Sequence, residues 1–545
     1  MRKTYFVLKA NKKIKGIKLY ANDQEIAGVN QLKDRAVKGM LDFGNEKEVM
    51  VKVALSSVST ENAAANMAAE LTDFDFNKVM TNCRSQWNEQ LSRIEVTTAD
   101  EVANKVFYTS LYHTMVSPSL FCDVNGQYRG IDDMIYTAKG YTNYTTLSLW
   151  DTYRALCPLY TLVKPEIVPN LVNTMLSIYH QNDKLPIWPL MSGETECMPG
   201  YSSVPIIADA YLKGFTGFDA NLAFEAMKAT ATYRKQNGVP YVLERGYIPC
   251  DSVHEATSIA MEYSVDDWGI AAMARKMGKD ADAKTFAKRA GYYKQYFDKD
   301  IQFIRPKMAD GSWRTPYDPA NSIHIVGDFT EGNGWQYTFF APHDVYGLVD
   351  LFGGDKPFIN KLDAFFVNND SMGDKASADI TGLIGQYAHG NEPSHHIAYM
   401  YAYVGQQWKT AEKVRFIMDE FYTDRHDGVI GNEDCGQMSA WYVLSAMGFY
   451  QENPSDGTLV FGSPRFEKMS VKVRGGNTLT IVAEKNSKKN IYIQRVYRNG
   501  QPWNKSHITY DELLKGGELK FVMGAKPNKK FGTAPASRPQ AVNSL

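Results

Sequence analysis

The spacing of apolar residues changes twice along the chain and divides it into three stretches. Up to about residue 56 apolar and polar positions alternate, in Tyr5-Phe6-Val7-Leu8-Lys9-Ala10, Gly16-Ile17-Lys18-Leu19-Tyr20-Ala21, Lys38-Gly39-Met40-Leu41-Asp42-Phe43 and Val49-Met50-Val51-Lys52-Val53-Ala54-Leu55. A period of two predicts four short strands, each with one buried face. Four strands are too few to close a sandwich and would leave long edges open. Either the strands of residues 1–58 pack onto the next domain or, the favoured reading, the rest of their sheet is absent from this sequence. Residues 59–95, including Phe76 to Leu91, read as a helical linker.

From about 97 to 450 the spacing lengthens to three and four. Runs near 99–117, 152–181, 203–214, 219–236, 256–277, 281–297, 332–352, 355–367, 394–404, 409–422 and 436–447 alternate with loops rich in Gly, Pro, Asp and Asn. About eleven helices in 96–450 suit a toroid of paired helices, although periodicity alone does not separate a closed barrel from an open solenoid. Alternation returns at 469–473, 478–483 and 490–497, with turns at Gly475-Gly476-Asn477 and Arg498-Asn499-Gly500. These predict a C-terminal β cap over 451–545, ending in a loose tail of about a dozen residues rich in Pro, Ala and Ser. The expected fold class is mainly α, a helical toroid with β segments at both ends.

Composition narrows the chemistry. The 60 basic and 61 acidic residues leave no basic face for nucleic acid. No apolar run approaches the roughly 20 residues that span a bilayer. Met1-Arg2-Lys3-Thr4 runs into a strand without a signal peptide, so the N-terminus reads as incomplete. Six scattered cysteines form no CxxC pair and no zinc-ligand spacing. There is no P-loop, dinucleotide fingerprint, GxSxG elbow or HExxH helix. Aromatic residues are 12% of the chain, which either enriches the core or lines a sugar site.

Carboxylates recur where loops open helices. Glu433-Asp434 precedes the run at 436–447, Glu331 lies in Thr330-Glu331-Gly332-Asn333-Gly334-Trp335-Gln336-Tyr337, and Glu392 in Asn391-Glu392-Pro393-Ser394-His395-His396. Each fits two roles, helix cap or acid/base group, and spacing leaves both open. Near Trp335 and Tyr337, Glu331 would be held protonated as a general acid requires. The mixed amide and carboxylate oxygens around Asn391 suit a hard cation or sugar hydroxyls. Trp150-Asp151-Thr152-Tyr153-Arg154 offers a stacking face with bidentate partners, or a simple cap. Asp209, and Asp251 through Glu262, read as architectural.

In order, the segments WDTYR, PGYSS, EGNGWQY, GNEPSHH and GNEDCGQMSAWY resemble the glycoside hydrolase family 92 mannosidases, most strongly over residues 96–450. The resemblance implies calcium-dependent, inverting exo-α-mannosidases with an (α/α)6 barrel and an N-terminal β-sandwich, of which residues 1–58 would be the remnant. It implies Glu331 as general acid and Asp434 as general base, with Trp150, Asp151, Arg154, Glu392 and His396 binding substrate. Gln336, Asn391 and Asp434 are the expected calcium ligands, and Asn432 stands where some members carry a further carboxylate. The implied partner is a mannose-containing glycan, and the implied location of a full-length parent is periplasmic or secreted. The rival expectations are a truncated remnant that binds glycans without hydrolysing them, and a metal-free (α/α)6 glycosidase or lyase.

Overall fold

The computed structural model describes residues 3–540. Residues 3–89 and 121–142 pack as one unit, and 90–120 with 143–540 as a second. The chain thus divides differently from the expected breaks after residues 58, 95 and 450.

In the first unit, strand Tyr5–Ala10 pairs antiparallel with Val51–Ser56, setting Phe6 opposite Leu55 and Leu8 opposite Val53. All four of these apolar side chains are exposed. Gly16–Ala21 lies between Gln24–Ile26 and Val37–Asp42 in a three-stranded sheet. Helix Thr60–Glu70 is no free linker, since it buries Ala63 and Met67 and is capped by Ser59. What ties it down is Asp123, whose carboxylate accepts hydrogen bonds from Ser56 Oγ (2.7 Å), Asn62 Nδ2 (2.8 Å) and Asn66 Nδ2 (2.7 Å). Asp123 belongs to the 121–142 excursion, which returns to this unit and adds the hairpin Gln127–Arg129 with Ile135–Thr137.

The second unit is helical, with a six-stranded sheet, a three-stranded sheet and three two-stranded pairs among the described residues. Helix Ala256–Lys276 is buried at almost every position, including Glu262, Asp266 and Asp267. Such all-round burial marks a helix inside the core. Prolines break several of the longer runs. The run at 152–181 divides into Leu149–Thr152, Leu156–Val163 and Val168–Asn182. Pro165 lacks an amide hydrogen and pushes Lys164 out of the helical region, to φ −136° and ψ 52°. Around Pro342, 332–352 becomes Gly334–Thr338 and Val345–Leu351. The run at 394–404 tightens into the 3-10 segments Glu392–Ser394 and Ile397–Val404.

The expected C-terminal strands form as Lys468–Lys472, Thr478–Glu484 and Tyr492–Arg498, inside a six-stranded sheet. Ile94–Thr97 joins that sheet antiparallel to Lys468–Lys472, and Gly517–Gly524 pairs parallel with Thr478–Glu484. The sheet therefore joins both ends of the unit, so the C-terminal strands are part of the helical body. The tail is also anchored through residue 540: Arg538 pairs with Asp355 at 2.8 Å, and Thr458 Oγ1 donates to Gln540 O at 2.9 Å. The remainder of the expected loose tail, 541–545, lies outside the described residues.

Asp123→Ala is expected to cost the first unit about 2 kcal/mol, because it strands three donors of a charged acceptor at once. Differential scanning calorimetry, with limited proteolysis at residues 60–70, checks this, and Asp123→Asn should lose less.

Candidate active site

The loop bearing Glu331 is fixed by the helix that follows it. Asn333 caps Gly334–Thr338: its Oδ1 accepts from Trp335 N and Gln336 N, while Gln336 Oε1 accepts from Asn333 N at 2.7 Å. This reciprocal box closes orphan amides at the helix start. On either side, Thr330 N donates to Ser258 Oγ at 2.7 Å, and Ser322 Oγ donates to Gly332 O at 2.8 Å. Between these ties Glu331 takes a left-handed φ of 45°, a conformation that a side chain adopts only when its surroundings impose it. Asn391 Nδ2 donates to both Glu331 O (2.9 Å) and Glu331 Oε2 (3.2 Å). Burial, reinforced by the charge of Asp379, lifts the Glu331 carboxyl to about 7.

At the second junction two adjacent acids divide the work. Glu433 is the cap, accepting from Gly436 N (2.5 Å) and Ser439 N (3.2 Å). Asp434 is left for other chemistry, at the start of a left-handed run: φ is 49° at Asp434, 57° at Cys435 and 102° at Gly436. A Cβ at position 436 would come within 3.1 Å of Thr114 Cα and 3.2 Å of Leu156 Cδ2, so glycine is required there. Burial and the neighbouring Glu433 and Asp379 raise Asp434 to about 6.

Asp434 meets Asp151 and Glu392, with one carboxylate oxygen from each lying within 4.8 Å of the others. Glu392 is wholly buried, and neither of its oxygens has a hydrogen-bond partner. Asp151 accepts from Ser148 Oγ. Burial first, and then the charge of Asp434 on Asp151 and of Asp151 and Asp434 on Glu392, pushes both well above the usual carboxylate range. Three crowded carboxylates, one lacking any protein donor, form an all-oxygen cradle that fits a hard divalent cation.

The positive charge that acts on Asp151 and Glu392 is already balanced. Arg154 Nη2 lies 2.8 Å from Glu262 Oε1, inside a cage whose walls include the Trp150, Tyr153 and Phe340 rings. Trp150 Nε1 and Tyr153 OH also donate to Glu262, at 2.7 and 3.0 Å. Trp150, only 1% exposed, is therefore a wall of the arginine cage and not the open stacking face expected from the sequence. His396 is likewise placed in the core, its Nε2 bonded to Phe339 O at 2.9 Å and its ring driven to about 3 by burial. Gln336 differs most from expectation, because both ends of its amide are engaged, Oε1 in the capping box and Nε2 on Gln386 O at 2.8 Å. Asn391 turns its nitrogen to Glu331.

Two further residues shape the site, one read in the sequence only as architectural and one not read at all. Glu262 looked like one acid in an apolar helix, and only the buried Arg154 reveals its task. Asp379, on a loop, accepts from Asn432 Nδ2 (3.0 Å) and Ser377 Oγ (2.6 Å) and acts on both Glu331 and Asp434.

Two carboxyls lifted to about 7 and about 6, beside an all-oxygen cradle, are the equipment of a glycoside-cleaving acid/base site. The sequence profile of the glycosyl hydrolase family 92 catalytic domain matches residues 62–525, and the chain belongs to that family. A family 92 α-mannosidase from Bacteroides thetaiotaomicron, solved with mannoimidazole, is 37% identical. It superposes with a TM-score of 0.94 over 99% of this chain and 73% of its own. A family 92 inverting mannosidase from the same organism is 32% identical, with a TM-score of 0.88 over 99% of this chain and 75% of its own. An uncharacterized secreted glycosidase from Arthroderma benhamiae is 24% identical over 91% of this chain, which spans 63% of that protein's length. Among the described residues no helix is long and apolar enough to cross a membrane.

Proposed function

We propose that this chain releases terminal α-linked mannose from glycans by inverting hydrolysis, with Glu331 as general acid and Asp434 as general base. The observation that supports this most directly is the pair of displaced titrations: Glu331, lifted to about 7, keeps a proton to give, while Asp434, at about 6, can lose one. Glu331 delivers its proton to the glycosidic oxygen, and Asn391, bonded to its other oxygen, holds the carboxyl in that orientation. Asp434 takes the proton of a water that attacks the anomeric carbon from the opposite face. Arg154, locked by Glu262, fixes a positive charge beside Glu392. The helices of the second unit are read as closing into an (α/α)6 toroid around this site, and the protein as working outside the cytoplasm, like the secreted relative.

The cation is proposed as calcium, and the residues that would hold it are Asp151, Glu392 and Asp434 rather than Gln336. When bound it offsets the crowded negative charge and binds sugar hydroxyls. Retention of both proton-transfer groups favours hydrolysis over a binding-only remnant.

Proton NMR of α-mannobiose or an aryl α-mannoside during turnover is expected to show β-mannose first, and α-mannose as the first product would overturn inversion. Glu331→Gln and Asp434→Asn are each expected to lower kcat by about 10²- to 10⁴-fold. The profile of kcat/KM against pH should be bell-shaped. Activity rises as Asp434 loses its proton near 6 and falls as Glu331 loses its own near 7, the two steps belonging jointly to the coupled pair. A bound cation moves the lower limb further down, because it favours the carboxylate. Chelation should abolish turnover and lower Tm, with calcium restoring both. Glu392→Gln should weaken calcium binding measured by calorimetry.

A further inference from the structure

Helix Ala256–Lys276 connects the catalytic site to a second cavity. Its first turn meets the acid loop through Ser258. Trp268 lies ten residues further on, about 15 Å along the axis at 1.5 Å per residue. There Trp268, Tyr346, Tyr403, His343, Asn453 and Asp456 line a cavity of about 330 Å3. That volume is at the lower end of small-molecule sites, which start at roughly 300 Å3.

The lining selects the class of ligand. Lys294 stands 2.9 Å from Asp344, so its charge is balanced and an anion finds no free cation in it. Burial takes the His343 imidazole down to about 4, leaving the ring neutral. Among the described residues, the cluster of three possible metal-ligand groups is the catalytic one, and this cavity presents no such cluster. What remains are aromatic walls beside carboxylate and amide acceptors, the combination that takes a ring bearing several hydroxyls. Behind this wall, and not facing the cavity, His343 Nδ1 and both oxygens of Glu452 are buried without a protein partner.

We infer that this cavity is a second saccharide site, separate from the catalytic carboxylates, that takes one neutral hexose-sized unit of a glycan. The inference stands on the cavity's own groups and does not require the catalytic reading.

Gly291 gives access to a clean test. It lines the cavity, its φ is −83°, and a Cβ added there meets nothing within 4 Å, so Gly291→Phe fills space without straining the backbone. The full chain is labelled with 5-fluorotryptophan, the Trp268 resonance is assigned through Trp268→Phe, and D-mannose and D-glucose are titrated separately. The Trp268 resonance should shift saturably with at least one sugar in the millimolar range. It should stay unmoved in Gly291→Phe, whose kcat/KM on a mannoside remains within about twofold of wild type. Asp456→Asn should weaken the shift about tenfold, or 1.4 kcal/mol. A Trp268 resonance that ignores both sugars, or that shifts equally in Gly291→Phe, overturns the site. A failure of the catalytic reading would appear differently, as absent turnover with the Trp268 response intact.

Discussion

Burying three carboxylates together is the constraint on which the rest of this structure depends. Asp151, Glu392 and Asp434 bring oxygens within 4.8 Å of one another, and like charges so placed out of water repel strongly. Arg154 offers limited relief because Glu262 already claims its charge. The cluster must therefore be partly protonated or hold a cation, and the scaffold must resist its tendency to spread. That resistance is visible on both flanking loops: a capping box and ties at Thr330 and Gly332 hold one, and Glu433 on two helix amides holds the other. Glycosidase chemistry draws on the same burial, which with the charges of Asp379 and Glu433 keeps Glu331 and Asp434 titrating near neutrality.

Much of this was legible because caps and strands have local signatures. Alternation located most of the first unit's strands, and the loop-to-helix junctions pointed to Glu331, Glu392 and Asp434. The reading failed where the controlling partner is remote in sequence. Trp150 looked like a sugar platform because Glu262, which receives its indole hydrogen, lies 112 positions away. The helix after the first strands looked like a linker because Asp123, which fastens it, arrives some sixty residues later. Gln336 has a use the metal reading overlooked for a different reason: a glutamine three residues after an asparagine cap closes the capping box. Strand Gly517–Gly524 alternates clearly and could have been read, whereas Ile94–Thr97 is short and follows almost directly in sequence on the helix Phe76–Leu91.

The pair Glu433 and Asp434 shows how a helix start can serve two purposes without compromise. Sequence spacing set capping against catalysis as alternatives for one residue. The structure assigns capping to Glu433 and leaves Asp434 among the pocket carboxylates. Capping fixes the direction of the chain, and the left-handed turn that follows rotates the next carboxylate towards Asp151 and Glu392.

That turn has a cost carried by Cys435, whose φ of 57° disfavours any residue with a Cβ by roughly 1–2 kcal/mol. Glycine at this position would release the penalty and harden the fold against heat, yet it would also loosen the pivot that aims the neighbouring acid. Thermal endurance and turnover therefore pull in opposite directions on a single side chain. Populations evolved under one pressure should diverge at position 435 from populations evolved under the other.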